Sequence, residues 1–233
     1  MSDLCLYCGN PIKEVISWKG FFYSEPQYLC EDCQKGLQAI EGKRCSCCSR
    51  SLEKLPEELM KGGVCLDCFR WEQNPKWTGI LQHNTSLFEY NDFLKEYLAR
   101  YKYRGDHMLA KVFRFQLATC LKNNNYDHII PIPLSEERQY ERGFNQSAAL
   151  LEEAQILHSH LLSRSHSEKQ SKKSRRDRLQ QKQIFTLIEK DFNGQSILLF
   201  DDIYTTGTTL RHAAKLLKEA GAEQVTSFTL ARG

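Results

Sequence analysis

The amino-acid sequence predicts an α/β protein with a doubly wound parallel sheet, preceded by a small cysteine-rich module. Paired cysteines crowd the first third of the chain, whereas the rest alternates strand-like apolar runs with segments of helical periodicity. The 233 residues suffice for one domain of ordinary size and a small second one. With 26% charged residues and a net charge of +3, the composition is that of a globular protein and excludes a fibrous or disordered chain.

Eight of the ten cysteines form four C-x-x-C pairs, each able to place two thiolates on one metal ion. The pairs are Cys5/Cys8, Cys30/Cys33, Cys45/Cys48 and Cys65/Cys68. Their spacing predicts structural sites for about two Zn²⁺ ions, because four thiolates fill the tetrahedral coordination of zinc. Sequential pairing and a cross-brace both fit the spacing, and Cys47 competes with Cys48 as a ligand. Cys120 lies in an amphipathic segment and is expected to be buried.

The N-terminal residues MSDLCLYCGN contain no basic segment followed by an apolar core, so no signal peptide is predicted. No apolar run reaches membrane-spanning length, and we expect no membrane insertion. The expected location is the cytoplasm, where cysteines serve as metal ligands or free thiols rather than disulfides. Aromatic and basic residues between the first cysteine pairs, such as Lys19 and Phe21, either contact nucleic acid or pack the small module.

The cysteine pairs end at Cys68, and Asn74-Pro75 marks a turn. We therefore predict a zinc-binding module at 1–74 and the α/β domain at 75–233. In the second region a strand near Leu87 and a helix beginning at Asp92 are expected first. A buried strand starting at His128 follows, and two prolines after it indicate that its pairing soon stops.

The most informative stretch, ILLFDDIYTTGTT, spans 197–209. Its first four residues predict a strand buried on both faces, and helical spacing of apolar residues follows the stretch. Asp201 and Asp202 come directly after the strand and are expected to face solvent. Backbone N–H groups at the carboxyl end of a strand and the start of a helix favour an anion. The loop therefore fits a phosphate monoester, and the carboxylates fit sugar hydroxyls. The residues expected to hold the phosphate are Tyr204, Thr205, Thr206, Gly207, Thr208 and Thr209.

A second loop, 135–146, follows the strand that starts at His128 and is expected at the same edge of the sheet. Arg138 and Arg142 are four residues apart, so both side chains can lie on one face of a helical turn. Two guanidinium groups suit a diphosphate through bidentate, charge-assisted hydrogen bonds. Asn145 is grouped with them as a ligand-binding residue. The alternative is a solvent-exposed loop whose arginines are neutralised by the neighbouring glutamates.

The segment 164–182 carries eight Lys or Arg against two acidic residues, a net charge of +6. We expect a poorly ordered loop that either closes over a polyanion as a hood or contacts a nucleic-acid backbone. The residues predicted for these roles are Gln170, Lys172, Lys173, Arg175 and Arg176.

The stretch ILLFDDIYTTGTT resembles the signature with which type I phosphoribosyltransferases bind phosphoribosyl diphosphate (PRPP), except that Thr208 stands where many members have a second glycine. Together with the cysteine pairs, PIPLSEERQYERGFNQ and the basic stretch, it resembles the ComF family of competence proteins. This resemblance implies a type I phosphoribosyltransferase fold that binds PRPP with Mg²⁺. It also implies action in DNA uptake on single-stranded DNA, with a competence helicase and recombination mediator proteins as partners.

Three functions follow from these features. In the first, phosphoribosyl transfer to an unidentified acceptor, Asp201 and Asp202 stabilise the cationic ribosyl centre and Arg142 stabilises the leaving diphosphate. The second is a non-catalytic, PRPP-sensing adaptor that binds nucleic acid. The third is a structural partner of a DNA-translocating machine. Consumption of PRPP separates the first from the others, and salt-dependent binding of single strands separates the second from the third.

Overall fold

The computed structural model describes residues 4–12, 26–103, 106–122, 125–164, 185–189 and 191–233. The predicted hood or DNA-contacting residues lie outside these ranges, and so do Lys19 and Phe21. The hood and DNA contact therefore stay predictions.

The described part of the cysteine-rich region folds into short helices and one hairpin. In chain order it contains α1 (Glu31–Gly36), a 3-10 turn (Glu57–Leu59), β1 (Met60–Lys61), β2 (Val64–Cys65) and α2 (Leu66–Gln73). Strands β1 and β2 pair in antiparallel fashion. Cys30 and Cys65 are the cap residues of α1 and α2, so each helix begins directly after a cysteine. The second cysteine of each pair, Cys33 or Cys68, is therefore a buried residue of the following helix.

The remaining described elements include both strands and helices. They are β3 (Asn84–Glu89), α3 (Asp92–Tyr103), a 3-10 helix (His107–Phe113), α4 (Arg114–Leu121), β4 (His128–Pro131), α5 (Glu136–Arg142), α6 (Gln146–Glu153), β5 (Leu162–Arg164), β6 (Phe185–Leu187), β7 (Ser196–Tyr204), α7 (Thr208–Glu219) and β8 (Gln224–Arg232). Helices follow β3, β4 and β7. Strands β5 and β6 form a separate antiparallel pair at either end of the segment 165–184. None of the described helices is long and apolar enough to cross a membrane.

A parallel sheet of four strands, in the order β3-β8-β7-β4, forms the centre of the described structure. Apolar residues pack against both of its faces, so the predicted doubly wound sheet is confirmed. Strand β7 pairs with neighbours on both sides and continues to Tyr204, beyond the predicted end at Phe200. It continues because Asp201 keeps its place in the ladder opposite Thr229.

Each face of the sheet shares its apolar core with one group of cysteines. Leu198 and Phe200 of β7 belong to the cluster that includes α3, α4 and Cys5, Cys30 and Cys33. Ile197 and Leu199, from the alternate positions of β7, belong to the cluster that includes α7 and Cys45, Cys48, Cys65 and Cys68. The cysteine-rich region is thus packed against the sheet, and the division at residue 74 stays a prediction about folding units.

Two expected core residues are exposed. Cys120 is exposed because α4 buries Leu117 and Leu121, which turns the position before Leu121 outward. Leu157 continues the helical spacing of Leu150, Leu151 and Ala154, which predicts that it faces the core. The helix α6 ends at Glu153, however, and Leu157 is 94% exposed in the segment that follows.

Candidate functional site

The acidic pair, Asp201 and Asp202, lies near the end of β7, at the carboxyl edge of the central sheet. Asp201 is half-buried and accepts a hydrogen bond from Ser147 Oγ at 3.0 Å. Asp202 is 5% exposed and forms an ion pair with Lys102, from the last turn of α3. The expectation that both carboxylates face solvent is therefore wrong for Asp202. The reason is tertiary: α3 brings a cation that neutralises this carboxylate and allows its burial.

The two carboxylates differ in their electrostatic surroundings. Burial raises the pKa of Asp201 to about 8, and the adjacent charge of Asp202 adds to this effect. The Lys102 ammonium acts in the opposite direction but does not offset it. In the ligand-free protein near pH 7, Asp201 is therefore largely protonated. A ligand that places a cation or hydroxyl donors beside Asp201 favours its ionised form.

The hydroxyl-rich loop connects β7 to α7 and is shaped by Gly207. This glycine precedes the first residue of α7 and has φ +79°, in the left-handed region. A Cβ at this position would lie 2.2 Å from the hydroxyl of Tyr204, so the site excludes any larger residue. Thr206 and Thr208 are exposed, and their hydroxyls are 2.8 Å apart. The threonine hydroxyls of the loop and the first N–H groups of the 12-residue α7 are therefore available to the same ligand.

The predicted arginines lie on α5, as their four-residue spacing indicated. Ser135 caps this helix and Gly143 ends it in a left-handed conformation. Arg142 donates to Gln146 Oε1 at 2.9 Å, and its guanidinium lies 5.1 Å from the ring centroid of Tyr103. Gln146 precedes Ser147, which contacts Asp201. Arg142 and the acidic pair are therefore joined through the start of α6.

Two polar or charged residues of this site, Lys102 and Ser147, were missed from the sequence, and Arg164 was assigned only to the basic run. Arg164, at the end of β5, is close enough to Arg138 and Asp201 for both to act on its pKa, which burial lowers. Lys102 directly follows the buried Tyr101 in a clear helical pattern, and its contact is 100 positions away in the chain. Only the position of Arg164 carried a signal, because it begins the basic run.

Two predicted ligand-binding residues make structural contacts within the protein. Asn145 caps α6: its Oδ1 accepts from the N–H of Ser147 at 2.9 Å, and its Nδ2 donates to the Ile132 carbonyl at 3.0 Å. Tyr204 is the last residue of β7, and its ring is buried beneath Gly207 rather than exposed in the loop. Any contact of either residue with a ligand stays a prediction.

The eight paired cysteines form two four-thiol clusters in the described structure, and the clusters can hold zinc. Pairing is sequential: Cys5, Cys8, Cys30 and Cys33 form one group, and Cys45, Cys48, Cys65 and Cys68 form the other. The cross-brace alternative is therefore excluded. Cys48, and not Cys47, completes the second cluster.

The geometry of both clusters fits tetrahedral Zn²⁺. All four sulfur atoms of each cluster lie within 4.8 Å of one another, and the Cys8–Cys30 and Cys48–Cys65 sulfur pairs are 3.6 and 3.7 Å apart. A zinc–sulfur bond of about 2.3 Å requires sulfur pairs about 3.8 Å apart. Arg232 is 5% exposed and donates to Cys48 Sγ at 3.2 Å. Zn²⁺ with four thiolates would carry a net charge of −2, which would offset the positive charge of this buried guanidinium.

A cleft of about 600 Å³ lies apart from the acidic pair, beside the first cysteine cluster. Its lining includes Tyr28, Leu29, Phe88, Phe115 and Cys120. The lining contains neither member of the acidic pair and no residue of the hydroxyl-rich loop. The candidate site is therefore the open edge of the sheet rather than this cleft.

Comparison with known proteins gives several matches. The family model of the phosphoribosyl transferase domain matches residues 147–233. Competence protein ComFC of Bacillus subtilis (strain 168) is 37% identical over 98% of this chain and 95% of that protein. ComFC of Streptococcus pneumoniae (strain ATCC BAA-255 / R6) is 34% identical over 98% of this chain and 99% of that protein. A solved allosteric regulatory enzyme of purine biosynthesis matches at TM-score 0.37 and 19% identity, over 52% of this chain and 25% of its own, which is too partial to carry an argument.

Proposed function

Since this chain belongs to the ComF family of competence proteins, we propose that it is a PRPP-binding, phosphoribosyltransferase-like protein that acts in DNA uptake. Its predicted phosphoribosyltransferase fold is confirmed by the domain match and the parallel sheet. In this proposal the protein works in the cytoplasm on incoming single-stranded DNA, with a competence helicase and recombination mediators as partners.

One observation carries the PRPP proposal: the acidic pair and the hydroxyl-rich loop are consecutive at the end of the central strand. Asp201 and Asp202 lie near the end of the β7–β8 ladder, which closes at Tyr204, and Gly207 directly precedes α7. PRPP needs a phosphate site and acceptors for ribose hydroxyls separated by one sugar ring. The loop 205–209 supplies the first and the carboxylates supply the second.

The roles of the residues follow from this placement. The loop 205–209 would hold the 5-phosphate through backbone N–H groups and threonine hydroxyls, which fixes the sugar in position. Asp201 would accept from a ribose hydroxyl and favour positive charge at the ribosyl centre as the diphosphate leaves. Arg142 would donate to the leaving diphosphate, and Arg138 and Arg164 add positive charge nearby. Ser147 holds the Asp201 carboxylate in place through their hydrogen bond.

Mg²⁺ fits the donor set, because carboxylate oxygens are ligands that this hard cation prefers. Asp201 is the better candidate of the pair, since Asp202 is already neutralised by Lys102. When bound with PRPP, the cation would offset the negative charge of the diphosphate.

Calorimetric titration with PRPP and Mg²⁺ tests the proposal. Asp201→Asn keeps the side-chain size but removes the charge, and it should weaken binding at least tenfold. Asp127→Asn is the matched control, because this exposed carboxylate contacts the N–H of Ser196 at the opposite end of β7. Equal affinity of the wild type and Asp201→Asn would place PRPP elsewhere. Release of diphosphate in the presence of nucleobases, nucleosides or single-stranded DNA then decides whether transfer occurs.

A second candidate, a PRPP-responsive adaptor that binds single-stranded DNA, is favoured by exposed aromatic residues near the arginines. Tyr140 is 92% exposed on α5, and Tyr103 is 70% exposed against Arg142. Bases of single strands stack on such rings while arginines attract the backbone. Tyr140→Ala should weaken single-strand binding by about 1–3 kcal/mol if a base stacks there. Wild-type affinity in this variant would remove the argument for α5 as the DNA surface.

A further inference from the structure

The second cysteine cluster is connected to the hydroxyl-rich loop by a tryptophan. Trp71 lies on α2, the helix that begins directly after Cys65 and contains Cys68. Its indole Nε1–H donates to the backbone carbonyl of Thr206 at 2.9 Å. Cys65 and Cys68 of the second cluster thus fix the start of α2. The side chain of Trp71, on the same helix, contacts the hydroxyl-rich loop, which is the proposed phosphate site.

This hydrogen bond sets the orientation of a peptide group in the loop. The peptide between Thr206 and Gly207 is planar and trans, so its N–H points opposite to its carbonyl. Because the carbonyl is directed at Trp71, the N–H of Gly207 is directed away from α2. An indole N–H is a donor only, and a loop carbonyl is the acceptor that it finds here.

A salt bridge makes the same connection from the first turn of α7. Arg211 is 1% exposed, donates to Glu72 Oε1 at 3.1 Å and lies 5.1 Å from the ring centroid of Trp71. Glu72 is the neighbour of Trp71 on α2. The indole is therefore held between the loop and a buried cation, which restricts its freedom to leave the Thr206 carbonyl.

A second connection runs beneath the loop through Arg232. Its guanidinium donates to Cys48 Sγ at 3.2 Å and to the Tyr204 carbonyl at 3.3 Å, and it lies 4.9 Å from the centroid of the Tyr204 ring. The Tyr204 ring in turn lies directly beneath Gly207. A ligand sulfur of the second cluster and the floor of the loop thus share one buried side chain.

We propose that Trp71 is a positioning residue for the phosphate loop, and that the metal-loaded second cysteine cluster holds the loop ready for ligand through Trp71 and Arg232. The functional consequence rests on the PRPP proposal above, whereas the ordering of the loop does not. Loss of the metal frees the start of α2 and removes the negative charge beside Arg232. Both connections to the loop then weaken together.

Hydrogen–deuterium exchange of the zinc-loaded protein, without PRPP, tests this assignment. Trp71→Phe keeps an aromatic ring beside Arg211 but deletes the donor to Thr206. The amides of 206–209 should exchange about fivefold faster, the effect expected for one lost hydrogen bond. The matched control is Trp77→Phe, because Trp77 packs edge-on against Trp71 at 5.2 Å and is not the donor to the loop. This control should leave exchange in the loop as in the wild type.

Zinc content and melting temperature are measured on each variant, so that a general loss of structure is recognised. Unchanged loop exchange in a folded, zinc-loaded Trp71→Phe protein would overturn the role of Trp71. The wild type provides a further test. Chelation of zinc should accelerate exchange in 206–209 more than in β4, which pairs with β7 on the side opposite to β8. Equal acceleration at both places, or none in the loop, would overturn the coupling.

Ligand binding separates this inference from the function on which it rests. PRPP should quench or shift the fluorescence of Trp71 in the wild type, and this signal should be absent in Trp71→Phe but present in Trp77→Phe. PRPP affinity should fall about fivefold in Trp71→Phe only. If PRPP binds to none of the proteins while loop exchange still responds to Trp71→Phe, the proposed function fails and the positioning role stands.

Discussion

Lys102 and Asp202 form an ion pair at the carboxyl end of the central strand, with 14% and 7% of their side chains exposed. The lysine comes from the last turn of α3 and the aspartate from β7, so the pair joins a helix to the sheet at the candidate site. A carboxylate this buried requires a counter-charge, because an unpaired charge is costly in a poorly hydrated position. Lys102 therefore supplies the positive charge that allows Asp202 to be buried at this edge of the sheet.

Replacing Lys102 with Met should destabilise the protein by about 3 kcal/mol, because Asp202 is left buried without its partner. Chemical unfolding measures the change. Lys95→Met is the control, since Lys95 is exposed on the same helix. Adding Asp202→Asn to Lys102→Met should restore most of the loss, because no charge then remains unpaired. A double variant as unstable as Lys102→Met would show that the ion pair is not the cause.

The raised pKa of Asp201 predicts that PRPP affinity depends on pH. If PRPP with Mg²⁺ requires the ionised carboxylate, affinity should rise between pH 6 and about 8, by up to tenfold per pH unit. Asp201→Asn should lack this part of the pH dependence, while titration of the phosphate groups of PRPP persists in both proteins. Calorimetry over this pH range provides the measurement. Parallel pH profiles would show that Asp201 does not titrate on binding.

The same pKa predicts an effect of opposite sign on stability without ligand. A carboxyl group whose pKa is raised from 3.8 to about 8 stabilises the folded state while protonated, and this contribution is lost as pH rises through about 8. Asp201→Asn cannot ionise, so its advantage over the wild type should grow by about 1–2 kcal/mol between pH 6 and 9, after allowance for partial exposure. A constant difference across this range in urea unfolding would contradict the raised pKa.

Purified protein should contain about two Zn²⁺ ions per chain, held by the two sequential cysteine clusters. Cys5→Ser with Cys8→Ser, and separately Cys45→Ser with Cys48→Ser, should each remove about one ion. Elemental analysis counts the metal. The second pair should also lower the melting temperature of the whole domain, because Cys48 contacts Arg232 at the end of β8. Zinc near zero in a normally folded wild type would refute the prediction.

The basic run predicts salt-sensitive binding of single-stranded DNA. Each phosphate contact contributes roughly 0.7 to the slope of log affinity against log salt concentration. Changing Lys172, Lys173, Arg175 and Arg176 to Ala should reduce the slope by up to about 3 if all four contact phosphates. If this segment also closes over PRPP, saturating PRPP should lower DNA affinity. An unchanged slope would move DNA binding to another surface, such as α5.

Most of the candidate site was predictable where the chemistry is contiguous in the chain. The order of strand, acidic pair, glycine-containing loop and helix was read from 197–209, because strands and helices leave local patterns of apolar residues. The spacing of Arg138 and Arg142 likewise predicted a shared helical turn, which α5 supplies. Lys102 and Ser147 could not be found in this way, since their contacts join residues far apart in sequence and leave no periodic signal.

The sequence by itself determined which residues are the candidates to hold metal and phosphate, because thiol spacing and the loop's residue types point to that chemistry locally. Only the tertiary structure decided how the cysteine pairs combine, since sequential and cross-braced pairings satisfy the same spacing. It also decided that Asp202 is buried beside Lys102 and that Trp71 contacts Thr206. These contacts depend on how α3 and α2 pack against the sheet. Packing is set by the sum of many apolar contacts over the whole chain, and no single local pattern encodes it.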